Sequence, residues 1–92
     1  MSQATTLTEM DILSDAIAPD EGDLAPSVAE TLLQWKFSDR ALLKMNELAR
    51  KNKEGHLSSE EEHELDNFLR VGSLINLVQA KARLSLKEHH SA

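Results

Sequence analysis

The stretch from Ser58 to about Leu86 constrains the fold most, because it has the pattern of one long helix with no proline inside it. Ser58 or Ser59 can cap the free backbone amides of the first turn, and Glu61 or Glu62 can complete a capping box. Acidic residues gather at its start and basic residues at its end, as the helix dipole favours. At about 1.5 Å per residue this helix would be roughly 42 Å long. The shorter segments of the chain are therefore expected to pack along it.

The apolar side of this helix changes direction along its length. At about 100° per residue the apolar residues fall on stripes that differ by roughly a quarter turn or more. The first stripe consists of Leu65, Phe68, Leu69 and Gly72. The second consists of Val71, Leu74, Ile75, Val78 and Ala82, and a further side carries Leu77, Ala80 and Leu84. Either all of them form one core, with a bend at Gly72, or one stripe packs inside the chain and another packs on a second chain.

The segment before Leu24 is acidic and differs in character from the rest. Residues 1–24 are expected to form a flexible acidic arm that contains a possible short helix over residues 9–18. Thr8 followed by Asp11 resembles a helix start. The apolar stripe of this helix would consist of Met10, Leu13 and Ile17. So short a helix is unstable alone, so it must dock on another surface or remain unfolded.

Residues 25–88 are predicted to form the helical domain, and residues 89–92 a disordered tail. A helix is expected to begin at Ser27, with Glu30 completing a capping box, and to end near Trp35. Ser38 is expected to cap the next helix, which Gly55 ends. That helix and the long helix would form an antiparallel hairpin. The predicted fold is all-α, with short helices packed on one long C-terminal helix.

Composition excludes several classes of function. With no cysteine there is no disulfide and no thiolate metal site. Three aromatic residues are too few for a platform that stacks nucleic-acid bases, and three glycines are too few for a phosphate-binding loop. The absence of a long apolar run and of a secretory signal pattern predicts a cytoplasmic protein without a membrane span.

No catalytic or metal-binding motif stands out. Glu60 and His63 have the Glu-x-x-His spacing that di-iron helical bundles use twice, but this chain has a single copy. A solvated acidic first turn accounts for that pair, so no metal site, no cofactor and no small-molecule substrate are expected. The chain is predicted not to be an enzyme.

The surplus of apolar helix surface predicts a protein partner, which is either another protein or a second copy in a homodimer. The residues expected to bind the partner are Met10, Leu13, Ile17, Val71, Leu74, Ile75, Leu77, Val78 and Leu84. The alternative is a small homodimeric regulator that binds nucleic acid, although the net charge of −6 makes nucleic acid an unfavourable partner. Its binding residues would be Arg40, Lys44, Arg50, Lys81, Arg83 and Lys87.

From about Leu24 to Lys87 the chain resembles a family of small, largely uncharacterised bacterial all-helical proteins. The residues that carry this resemblance include Leu57, Ser58, Glu61, Glu64, Leu65, Asp66, Val71, Gly72, Leu74, Leu77, Lys81, Ala82, Arg83 and Leu86, after Met45, Glu47 and Leu48. Such proteins look like the non-catalytic member of gene pairs whose other member resembles an HNH-type nuclease. The resemblance implies an antitoxin-like or immunity-like role, and it carries no catalytic residue over to this chain. An acidic arm would then occupy the basic channel of the nuclease.

Overall fold

The computed structural model describes residues 6–90, and four helices account for most of them. Helix α1 spans Glu9–Ile17, α2 spans Pro26–Leu33, α3 spans Asp39–Glu54, and α4 spans Ser59–His90. The predicted all-α fold, with short helices packed on a long C-terminal helix, is confirmed. Helix α4 continues past the expected end at Leu86, so the part of the expected tail that is described is helical.

Local chemistry sets the ends of three of these helices. Thr8 caps α1 in a capping box with Asp11. The Ser58 hydroxyl accepts a hydrogen bond from the Glu61 amide, and the Glu61 carboxylate accepts one from the Ser58 amide, so α4 has the same arrangement. The Ser38 hydroxyl caps α3, which ends at Gly55 with a φ of 75°, a left-handed conformation that glycine adopts without steric cost.

The capping box predicted for α2 is wrong. This helix begins at Pro26, after Ala25, and no side chain caps it. Proline has no amide hydrogen that needs a partner and its φ suits the first helical turn, so the helix starts one residue before Ser27. Ser27 therefore lies inside the first turn, where its carbonyl accepts a hydrogen bond from the Thr31 hydroxyl.

Helix α4 is the shared support of the other three helices, which make no packing contacts with one another within residues 6–90. Helix α1 runs parallel to it, since Arg70 lies 3.6 Å from Glu9 and Lys81 donates a hydrogen bond to the carbonyl of Ile17. Helix α2 runs antiparallel to the C-terminal half of α4, because Gln79 donates a hydrogen bond to the Leu32 carbonyl near the end of α2.

Helix α3 runs antiparallel to the N-terminal half of α4, as the hairpin prediction required. The ring centroids of Phe37 and Phe68 lie 5.9 Å apart in an edge-to-face arrangement at one end of the pair. At the other end the ammonium of Lys51 lies 2.6 Å from the Glu61 carboxylate.

The four helices lie in a single layer. Leu74 and Gln79 are five residues apart and so point about 140° apart around α4. Leu74 borders α1, and Gln79 binds the end of α2, so α1 and α2 contact different sides of α4. The molecule accordingly measures 52 × 48 × 15 Å. A single layer has almost no interior, and the buried hydrophobic residues among those described are Ala29, Leu48 and Ala82.

The ion pair between Lys51 and Glu61 makes stability depend on pH. The hydrogen bond from Lys51, followed by the one from the Ser58 amide, lowers the pKa of Glu61 from its ordinary value of 4.5 to about 2. A carboxylate whose pKa is lower in the folded chain stabilises the fold above its unfolded pKa, and this is lost as the pH falls from about 4.5 to about 2. We expect Glu61→Gln to lower the melting temperature at pH 7. The difference in melting temperature between this variant and the parent chain should shrink as the pH falls from about 4.5 to about 2.

The measurement is thermal unfolding followed by circular dichroism between pH 7 and pH 2. The matched control is Glu62→Gln, which changes an exposed carboxylate of the same helical turn. A pH profile of Glu61→Gln that stays parallel to that of the parent chain would contradict this expectation.

Candidate protein-binding surface

Each broad side of the helical layer carries a shallow apolar surface along α4. On the first side, two grooves meet at Asn67 and Val71, and this surface is called the Val71 face. The groove toward α1 is lined by Glu9, Met10, Leu13, Asn67, Arg70, Val71 and Leu74. The groove toward α3 is lined by Phe37, Glu64, Asn67, Phe68 and Val71.

The opposite side carries two grooves that meet at Asn76, and this surface is called the Asn76 face. Asn76 lies five residues after Val71, about 140° around α4, which places the two faces on different sides of the layer. The groove toward α1 is lined by Met10, Asp11, Ser14, Pro19, Ser73, Asn76, Leu77 and Ala80. The groove toward α2 and α3 is lined by Trp35, Lys36, Phe37, Leu42, Met45, Gly72, Ile75, Asn76 and Gln79.

Charge distinguishes the groove between α3 and α4 on the Asn76 face from the other three grooves, each of which has a carboxylate in its lining. The Val71 face is bordered by ion pairs, with Glu9 3.6 Å from Arg70 and Lys44 3.4 Å from Glu64. The groove between α3 and α4 on the Asn76 face has no carboxylate in its lining, and Lys36 is its one charged residue. That groove is unusual in a chain with 16 acidic residues, because the centres of protein interfaces are depleted of charged side chains.

The segment that joins α1 to α2 crosses over α4 and is tied to it by hydrogen bonds. The ammonium of Lys81 lies 2.7 Å from the Ile17 carbonyl and 2.7 Å from the Asp23 carboxylate. The hydrogen bond from Lys81 to the Asp23 carboxylate lowers the pKa of Asp23. The buried Ser85 hydroxyl accepts a hydrogen bond from the Leu24 amide and donates one to the Lys81 carbonyl. These contacts fix the positions of both α1 and α2 on α4.

The residues predicted to bind a partner are divided between internal contacts and the two faces. Met10 and Leu13 are half-buried against α4, and Ile17 is half-buried where its carbonyl accepts the hydrogen bond from Lys81. The described part of the acidic arm is therefore docked on the long helix, and its apolar stripe is used within the chain.

The predicted residues of α4 are mostly half-buried. Val71 has 46 % of its surface exposed and, with Leu74, lies on the Val71 face. Ile75 and Leu77 lie on the Asn76 face. Val78 and Leu84 are half-buried and line none of the four grooves.

Of the eight large apolar residues that are exposed within the described range, Val71 alone was predicted to bind a partner, and the others include Trp35, Leu42 and Leu69. Trp35 is 52 % exposed, Leu42 is 42 % exposed and Leu69 is 57 % exposed. Trp35 and Leu42 line the groove of the Asn76 face, and Leu69 lies one helical turn before Gly72 on the same side of α4. In the sequence, Leu69 falls on a stripe of α4 that is rotated away from the stripe of Val71. This rotation was the signal that distinguished Leu69 from the residues predicted to bind a partner.

The basic residues of the nucleic-acid alternative are dispersed. Lys44, Arg50 and Lys81 each form an ion pair with a carboxylate of this chain. Because α3 is antiparallel to α4, Arg50 lies near Glu61, which is about 39 Å along α4 from Lys87. Arg40 and Arg83 are exposed on different helices, α3 and α4. The six residues therefore do not form one basic patch.

Neither a membrane-spanning helix nor a metal-ligand cluster occurs within residues 6–90. None of the described helices is long and apolar enough to cross a membrane. No cluster of three or more histidine, aspartate or glutamate side chains suited to a metal ion occurs in this range, and Glu60 and His63 remain an isolated pair. No protein-family model, curated protein or solved structure matches the chain.

Proposed function

We propose that this chain is a non-catalytic protein–protein interaction module, antitoxin-like or immunity-like, which acts by covering its apolar faces with a partner protein. The observation that carries the proposal is the single-layer fold, 15 Å thick, with apolar grooves on both broad sides. Stable domains normally bury their apolar surface between two packed layers. This chain supplies one layer, and the partner supplies the other.

The size of the exposed surface supports this reading. The solvent-accessible surface of the chain is 7014 Å², whereas a folded monomer of 10.3 kDa is expected to expose about 5,400 Å². The radius of gyration is 17.0 Å, against about 12 Å for a compact domain of this length. The excess surface includes large apolar side chains, which a soluble monomer rarely gathers into one patch.

The charge of the chain indicates which partners suit it. Helix α1 turns Met10, Leu13 and Ile17 toward α4, and its carboxylates Glu9 and Asp11 are exposed at the edge of the layer. An acidic edge beside an apolar groove is complementary to a partner with a basic rim around an apolar patch. The proposal includes a cytoplasmic location, which fits a chain without cysteine.

The test is site-specific photo-crosslinking in cells with the full chain. A photoreactive amino acid replaces Leu69 on the Asn76 face, Val71 on the Val71 face, or Leu43 as the control. Leu43 is 71 % exposed and lies about 140° around α3 from the buried Leu48, so it points away from both grooves. We expect a discrete adduct from Leu69 or Val71 in at least fivefold excess over Leu43. Adduct levels equal to the control at both positions would refute the proposed function.

A further inference from the structure

We propose that the partner on the Asn76 face is a second copy of this chain, related by a two-fold axis that passes between the two α4 helices. In this dimer, Trp35, Leu42 and Leu69 of each copy pack against the groove between α3 and α4 of the other. The inference rests on the proposed function and identifies one partner for one of the two faces.

The first argument is the amount of surface that needs a cover. The excess over a compact monomer is about 1,600 Å² per chain, so two copies that hide it would bury about 3,200 Å² in total. Obligate homodimers bury about 2,000–5,000 Å² and often resemble a domain core cut in half. One symmetrical contact between two copies would therefore bury an area within the range of obligate homodimers, and each copy would supply the second layer that the other lacks.

The second argument is electrostatic. Each copy carries a net charge of −6, so two copies repel one another at long range. A two-fold contact sets a patch against the same patch, so any carboxylate near its centre faces a like charge. The Val71 face would bring Glu9 and Glu64 toward their own copies. The groove of the Asn76 face between α3 and α4 lacks carboxylates in its lining, so self-association costs less there than at the Val71 face.

The third argument is shape. Gly72 has no side chain, and the closest neighbour to the position of an added Cβ atom is the Phe37 ring, 3.8 Å away. The Phe37 ring therefore covers α4 at Gly72 and lines the same groove, while Leu69, which is 57 % exposed, projects one turn before it. Two antiparallel copies of α4 can seat each Leu69 in the other copy's groove, against Phe37 and Gly72. A projecting leucine beside an apolar groove makes the patch complementary to itself.

The experiment uses the full chain and combines mass with the fluorescence of its single tryptophan. Light scattering across a dilution series is expected to give twice the 10.3 kDa monomer mass, falling toward the monomer on dilution. Trp35 lies in the proposed interface, so we expect its quenching by acrylamide to rise at least twofold over the same range of concentrations. Leu69→Asp should abolish the dimer. Leu43→Asp, the matched control, should leave the mass and the quenching of Trp35 as they are in the parent chain. Circular dichroism reports the helicity of each variant.

Three results would overturn the inference. The first is a monomer mass across the series, and the second is a dimer whose Trp35 quenching does not change with dilution. The third is an equal loss of dimer in Leu69→Asp and Leu43→Asp. If the chain is monomeric but still forms a discrete photo-adduct with a different protein, the homodimer fails while the proposed function stands. If no adduct forms at either face, the proposed function fails as well.

Discussion

Leu48→Ala is expected to lower the free energy of unfolding by about 2–5 kcal/mol, the range measured for removing a buried leucine side chain. Leu48 is the largest fully buried side chain of the described residues and lies on α3 between Lys44 and Lys51, which both reach α4. Small domains have a total stability of about 5–15 kcal/mol, and a single-layer fold has few other buried groups to compensate. Most of the packing between α3 and α4 should therefore be lost with this side chain.

The measurement is urea unfolding followed by circular dichroism, at one protein concentration because association contributes to apparent stability. The control is Leu43→Ala on the same helix, where the side chain is 71 % exposed. A surface truncation of this kind changes stability by about 0.5 kcal/mol or less. Equal losses in the two variants would show that α3 is not held to α4 through Leu48.

Ala82→Leu is expected to displace α2 from α4 and to destabilise the chain by about 1–3 kcal/mol. The Leu24 amide donates to Ser85, and Gln79 donates to the carbonyl of Leu32, so antiparallel pairing places Ala29 opposite Ala82. Both alanines are fully buried, which shows that the two helices approach closely there. Three additional carbon atoms cannot enter this contact unless the helices separate.

Hydrogen exchange provides the measurement, since amides of α2 should exchange at least tenfold faster in Ala82→Leu than in the parent chain. The control is Ala16→Leu, the same change at an exposed position of α1. If α2 keeps its protection in Ala82→Leu, the close contact between the two alanines is not what holds this helix in place.

The parts of the fold that depend on neighbouring residues followed from the sequence. The caps at Thr8, Ser38 and Ser58 and the glycine end of α3 each involve a side chain and a backbone group within a few residues. The start of α2 did not follow, because Pro26 replaced the expected hydroxyl cap with its own fixed φ.

The surface was harder to predict than the helices. Leu42 and Leu48 belong to the same apolar side of α3, yet Leu42 is 42 % exposed whereas Leu48 is fully buried. The rotated stripes of α4 correctly indicated that one helix serves more than one set of contacts. Helical periodicity does not determine which stripe of α4 a neighbouring helix packs against. That choice depends on the crossing angles between the helices and on where the segment around Asp23 crosses α4.

The thinness of the layer also affects how the chain responds to temperature. The heat capacity change of unfolding grows with the apolar surface that folding hides, and it sets the curvature of stability against temperature. A layer 15 Å thick hides little such surface within one chain. The stability curve of the isolated chain is therefore expected to be shallow, and surface hidden by the proposed association would add to its curvature. If a partner covers either face, resistance to both heat and cold would depend on the complex.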